Sequence, residues 1–323
     1  MSSKKATKRK KWLSNSLVLP QYIFCICILL CPALTLSGQT TIKAYVEPLL
    51  TTAWGQDAPY YNMCPTKTNG SGEEQHCRVG CVACAMGQVM NYYQYPEVGK
   101  GSWTDIFNSA ATANFGETHY DWTNMRDTYV GNYSDKEAEA VATLLYHCGV
   151  AVNMIYGLQS SSTFTSFANN LTTALTRYFG YESKGLRSVS RSQYTKEAWL
   201  QLIYETLSAG QPIIYSGNST LMGGHTWVID GYDEDGKLHM NWGWYGRSNG
   251  YYDIDLTEIG LDFNQKQSMI IGIRPPADAN AINLPACSEK TSEIYTIDGR
   301  RCTSAGNLPK GIYIINKKKV IIK

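Results

Sequence analysis

The stretch HCRVGCVACAMGQ, residues 76–88, gathers more reactive side chains than any comparable length of this 323-residue chain. Cys77, Cys81 and Cys84 stand there as Cys-x3-Cys-x2-Cys. That pattern admits a metal or iron–sulfur clamp, a Cys-x-x-Cys redox pair, a disulfide knot, or one working thiol among bystanders. Cys81 alone follows a glycine and opens a helical pattern. Amides and the positive dipole end at a helix start stabilise a thiolate. Cys84 lies one turn along, on the side that the apolar residues bury, and Cys77 falls in a loop with Cys64 as a candidate disulfide partner.

The compartment narrows the choice. Residues 1–38 read as a secretory signal, with Lys4, Lys5, Lys8, Arg9, Lys10 and Lys11 ahead of an apolar stretch from Tyr22 to Leu36. Pro32 interrupts that stretch, which is shorter than the ~20 residues of a membrane span. The mature chain is therefore expected outside the cytoplasm, secreted or at the cell surface, with no membrane span of its own. Seven cysteines remain after removal of the signal, an odd number that leaves at least one thiol unpaired or intermolecular. Oxygen-sensitive clusters such as those of radical-SAM enzymes do not suit that compartment. Apart from His76, no further ligand completes a zinc site, so no metal or organic cofactor is expected. Removing the six signal charges takes the formal net charge from +2 to −4, and residues 39–287 hold about −9 of it, which gives no electrostatic case for nucleic acid.

A working thiol needs an imidazole to take and return its proton. Of five histidines, His225 in MGGHTWVID has two glycines before it and a strand pattern after it. It follows Cys81 by 144 residues, inside the ~130–150 separation noted for papain-like enzymes. Asn241 in HMNWGWYG lies sixteen residues further on, where its amide can accept from the ring and fix its tautomer. Trp242 and Trp244 are the supporting residues that would shield such a bond from water. An oxyanion needs two converging donors. The Cys81 amide is one candidate and the side chain of Gln56, in TTAWGQDAPY, is the other.

The elements that must carry these residues follow from periodicity. Val82, Met86, Val89 and Tyr93 share one helical face, and Pro96 closes that helix. Ser134 and Glu137 form a capping box for a helix that runs to Gly149. Two more helical patterns cover about 163–179 and 195–208, whereas 97–133 lacks clean periodicity. From Gln211 the runs QPIIYSG, HTWVID, KLHMNW, GYYDIDL and SMIIGIR alternate as strands between Gly, Asp and Asn turns. A helical first half followed by an antiparallel sheet is an α+β arrangement with a cleft between its parts. Residues 276–293 read as a linker, and 294–323 as a short β-rich tail too small for its own core.

Taken in order, PLLTTAWGQDAPYYNMCP, VGCVACAMGQVMNYYQYP, YDWTNM, EAVATLLYHCGVAVNMIYG, GGHTWVIDGYDEDGKLHMNWGWYGRSNGYY and QSMIIGIRP resemble the streptopain family of secreted bacterial cysteine peptidases, within the papain superfamily. The resemblance implies a papain-like domain over 39–275, Cys81 as nucleophile and His225 as general acid/base. It also implies Gln56 in the oxyanion hole, Asn241-Trp242 in support, and Cys77 and Cys84 as bystanders. The implied substrates are proteins or peptides. An amidase or transpeptidase using the same pair, and a non-catalytic secreted binding module, are the alternative readings. In that family a long propeptide blocks the cleft, whereas only Gln39 to Tyr45 stand in its place here. The tail KGIYIINKKKVIIK resembles the end of the sorting domain of the type IX secretion route but is shorter than that domain; it reads either as a degenerate signal, which would make the secretion machinery a partner, or as an edge strand.

Overall fold

The computed structural model describes residues 41–163, 167–258 and 260–279, together with the backbone of four tail strands. The signal segment and most of the linker lie outside the described residues.

Six antiparallel strands form the central sheet in the order β5-β10-β6-β7-β8-β9. These are β5 (Arg187–Ser190), β6 (Ile213–Ser219), β7 (Gly223–Tyr232), β8 (Leu238–Asn241), β9 (Gly250–Tyr252) and β10 (Gln265–Ile271). Because successive side chains on a strand face opposite ways, each central strand feeds two cores. Ile214, Val228 and Ile270 pack on one side with the buried faces of α1 (Cys81–Tyr93), α2 (Asp135–Ala151) and α3 (Phe167–Arg177). Ile213, Tyr215, Trp227, Ile229, Met269 and Ile271 pack on the other, where Trp199, Ile203 and Leu207 of α4 (Lys196–Ser208) cover them. The α+β reading holds, the runs from Gln211 onward each contribute a strand, GYYDIDL only over its first three residues, and the capping box at Ser134 forms as expected.

Four pairings of short strands or edges escaped the sequence reading. Strand β5 joins the sheet beside β10. Two small hairpins, β1 (Thr66–Thr68) with β2 (Glu74–His76) and β3 (Trp103–Thr104) with β4 (Thr112–Ala113), lie in stretches read as loops. The leading segment also pairs: Val46 exchanges both backbone bonds with Tyr232, at 2.8 and 2.9 Å, along the end of β7 that β6 does not reach. In the tail, β11 (Ile294–Thr296), β12 (Arg301–Cys302), β13 (Gly311–Ile315) and β14 (Lys318–Ile322) make a four-stranded antiparallel sheet in the order β12-β11-β13-β14. No helix among the described residues is long and apolar enough to cross a membrane.

Candidate active site

Cys81 is the first residue of α1, and Gly80 before it adopts φ +89°, a left-handed conformation that favours glycine. A Cβ on Gly80 would also sit 2.8 Å from the flexible end of Met154, which would have to shift, so the backbone conformation is the firmer reason for glycine here. With no side chain at the cap, none competes for the first-turn amides of α1. Donor groups of Thr226, Val82 and Cys81 itself favour the thiolate form of Cys81. Burial nevertheless pushes the thiol up, and these donors only partly offset it. The expected thiolate-favouring dipole is therefore outweighed by loss of water in the resting site.

His225 is the third residue of β7, opposite Gly217 of β6. A Cβ on Gly217 would lie 2.1 Å from the carbonyl oxygen of Phe263, so only glycine admits that close approach. The imidazole stacks on Trp244 with centroids 4.7 Å apart and is enclosed by Trp227, Trp242 and Phe263. Its Nε2 lies 2.9 Å from the Trp242 carbonyl oxygen. A carbonyl only accepts, so the proton of the neutral ring sits on Nε2 and the lone pair on Nδ1. Burial pushes this histidine down to about 4, the Trp242 bond opposing it, which keeps the ring neutral near pH 7. The other histidines are engaged elsewhere or exposed: His147 with the Tyr120 hydroxyl, His239 with Asp230, His76 with the Cys64 carbonyl, and His119 at the surface.

Asn241 is buried at the end of β8, in register with Val228 rather than His225. Its amide donates to the Thr52 carbonyl at 2.6 Å, and its Oδ1 accepts from Gly243 N–H at 3.2 Å and from Gln88 at 3.3 Å. The expected amide-to-imidazole bond is thus replaced by the Trp242 carbonyl, one residue along the chain. Gln88, fully buried in α1, also accepts from the Thr52 hydroxyl and the Trp54 N–H at 3.0 and 3.2 Å. Together Gln88 and Asn241 sew residues 52–54 to α1 and β8. The sequence signal for Gln88 is a polar residue two turns after Cys81 within an apolar helix.

That stitching fixes the approach to Gln56. The Gln56 carbonyl accepts from Val79 N–H at 3.2 Å, two residues before Cys81. Next to it, Asp57 pairs with Arg78 at 3.2 Å and accepts from the Tyr245 hydroxyl at 2.8 Å. Gly55 lets the Tyr245 ring close on the loop, where a Cβ would come within 2.2 Å of the ring. Trp242 is fully buried and Trp244 flanks the imidazole, so both tryptophans line the His225 side of the site.

Cys84 is fully buried one turn below Cys81, beneath Gly243, and burial pushes its thiol well up. The suggested Cys64–Cys77 disulfide is not formed: both are buried free thiols that pack as small apolar groups in the first core. Among the described residues, no group of three or more His, Cys, Asp or Glu is arranged to hold a metal ion.

The Peptidase C10 family model matches residues 54–252. The chain is 33% identical over 267 residues to streptopain of Streptococcus pyogenes, covering 75% of this chain and 66% of streptopain. It is also 33% identical over 245 residues to the thiol protease/hemagglutinin PrtT of Porphyromonas gingivalis, covering 72% of this chain but 27% of that protein. The chain thus spans about a quarter of PrtT's length and just under two thirds of streptopain's. Among solved structures, active interpain A cysteine protease of Prevotella intermedia superposes with a TM-score of 0.64 at 40% identity, covering 71% of this chain and 95% of that one. A prointerpain A fragment from the same organism gives 0.63 at 40% identity, over 73% and 74%. A thiol at an uncapped helix start, an imidazole held from the sheet and these matches lead to one statement: the chain belongs to the Peptidase C10 family, the streptopain-type cysteine peptidases.

Proposed function

We propose that this chain is an endopeptidase that hydrolyses peptide bonds in proteins through a thioester on Cys81. The observation that carries the reading is the state of the two groups. Cys81 opens α1 behind a glycine with no side-chain cap, and the His225 ring spends Nε2 on Trp242, leaving Nδ1 to accept a proton. As the sulfur attacks the scissile carbonyl, its proton passes to His225. Sulfur and carbonyl carbon form the new bond while the carbonyl π electrons move onto oxygen. The Cys81 N–H and the Gln56 amide are the donors for that oxyanion. Collapse expels the amine, which takes the proton from His225. The same imidazole then takes a proton from water for deacylation, and the thiol is restored. The imidazole has nowhere to hold a lasting charge, so a positive ring exists only while the opposing negative charge exists beside it.

Export through residues 1–38 belongs to the same reading, as does a sorting role for the tail. The names of the relatives as proteases support protein substrates. Labelling the purified mature protein with iodoacetamide tests the nucleophile, with Cys81→Ala and Cys84→Ala side by side and casein cleavage as the activity. The Cys81 variant should lose both label and cleavage while the Cys84 variant keeps both; the reverse pattern removes the proposal.

A further inference from the structure

The peptide that joins Gln56 to Asp57 is held at both ends. Its carbonyl accepts from Val79 N–H at 3.2 Å, two residues before Cys81, and its N–H donates to the Tyr245 hydroxyl at 2.7 Å. The same hydroxyl donates in turn to the Asp57 carboxylate at 2.8 Å. Burial and that bond to Asp57 push the hydroxyl up, so it keeps its proton and remains a donor. One hydroxyl thus fixes both the backbone and the side chain of the residue after Gln56.

Tyr245 reaches this place in a strained conformation. It adopts φ +62°, in the left-handed region that a bulky residue seldom enters, between Gly243 at +69° and Gly246 at +78°. Such conformations persist where surrounding contacts over-determine them, and they gather at functional sites. Here the contacts are the Tyr245 N–H, which donates to the Trp54 carbonyl at 2.9 Å, the hydroxyl on Asp57, and the ring against Gly55. They bracket Gln56 from both sides along the chain. Gln88 and Asn241 hold residues 52–54, and Tyr245 takes over where they stop.

We propose that Tyr245 is a positioning residue for Gln56: its hydroxyl fixes the 56–57 peptide, and with it the direction in which the Gln56 side chain leaves the backbone. The inference rests on the reading of Gln56 as an oxyanion donor. Such a donor must stay within about 0.5 Å of its productive place to serve the transition state. Tyr245 also belongs to the loop whose Trp242 carbonyl and Trp244 ring hold His225. A single side chain therefore ties the oxyanion side of the site to the imidazole side.

Tyr245→Phe keeps the ring and its packing on Tyr60, centroids 5.9 Å apart, and removes the hydroxyl. Steady-state kinetics with a fluorogenic peptide should show kcat lower by about tenfold and KM within about twofold of the parent. Alkylation of Cys81 by iodoacetamide forms no oxyanion, so its rate should stay within about twofold. In a Gln56→Ala background the same substitution should change kcat by less than about twofold, because the group it positions is gone. If Tyr245→Phe fails to fold, Asp57→Ala removes the carboxylate that the hydroxyl donates to and carries the same cycle.

An undiminished loss on top of Gln56→Ala overturns the proposal, and so does a fall in alkylation that matches the fall in turnover. Unchanged kcat in Tyr245→Phe beside a strongly impaired Gln56→Ala sinks the role of Tyr245 alone. Full turnover by Gln56→Ala is a different failure, which removes Gln56 as the donor and the role of Tyr245 with it.

Discussion

Helices α1 and α2 pack against each other, yet they begin in opposite ways. The start of α2 is closed: Ser134 accepts from Glu137 N–H, the Glu137 carboxylate accepts from Ser134 N–H at 2.7 Å, and Asp135 adds negative charge to the first turn. The start of α1 is left open, with glycine at the cap, no side-chain capping bond and no acid in the first turn. One end is built for stability, the other keeps its donors for an incoming negative charge. The same backbone physics thus gives a structural joint in one helix and a reactive centre in the next.

Removing Gln56, the proposed second oxyanion donor, is the strongest way to probe the open end short of removing the thiol. Gln56→Ala should lower kcat by about 10²–10³ with little change in melting temperature, as single oxyanion donors do elsewhere. Steady-state kinetics with a fluorogenic peptide check this. An effect below tenfold would transfer the oxyanion to other donors.

Acid reaches the candidate site on β7 and the helix α2 through one buried histidine each. His225 and His147 are each held neutral, with burial pushing each down to about 4 from 6.5. Between those values the unfolded chain binds more protons than the native one. Stability is therefore full above about pH 6.5 and falls as pH drops to about 4, by up to about 3 kcal/mol for each ring. Urea midpoints across that range check the sign, and His147→Gln should make the fall shallower.

Substituting the two caps contrasts the helix starts directly. Gly80→Ala forces a Cβ into Met154 at φ +89° and should cost about 1–3 kcal/mol in denaturant unfolding, together with most of the activity. Ser134→Ala should cost about 1 kcal/mol in the same measurement and leave kcat/KM unchanged. Equal loss of activity from both would mean that the two starts do not divide the labour.

How much of this was legible in the sequence depends on whether a side chain or the backbone carries the feature. The capping box, the α1 face and the glycines before His225 are side-chain patterns, and each pointed to its element. The hydrogen bond that orients the ring comes from the Trp242 carbonyl, and a carbonyl is present at every residue, so no motif announces it. Asn241 was legible as a buried polar residue, but its partner depended on a register that sends Nδ2 to Thr52. The β1–β2 hairpin is short and almost wholly exposed, so it has no apolar alternation to read.

The alternation of β7 has a consequence for how the site can fail. His225 belongs by parity with Trp227, and Thr226 with Val228, so neighbouring positions on one strand serve opposite layers. A slip of a single residue between β6 and β7 would exchange them while leaving the ladder of backbone bonds intact. A chain misthreaded in this way would retain its strand content in far-ultraviolet spectra and be catalytically dead. Turnover is thus the more sensitive gauge of correct threading, and a one-residue insertion in the Ser219–Gly223 turn is the lesion it would detect first.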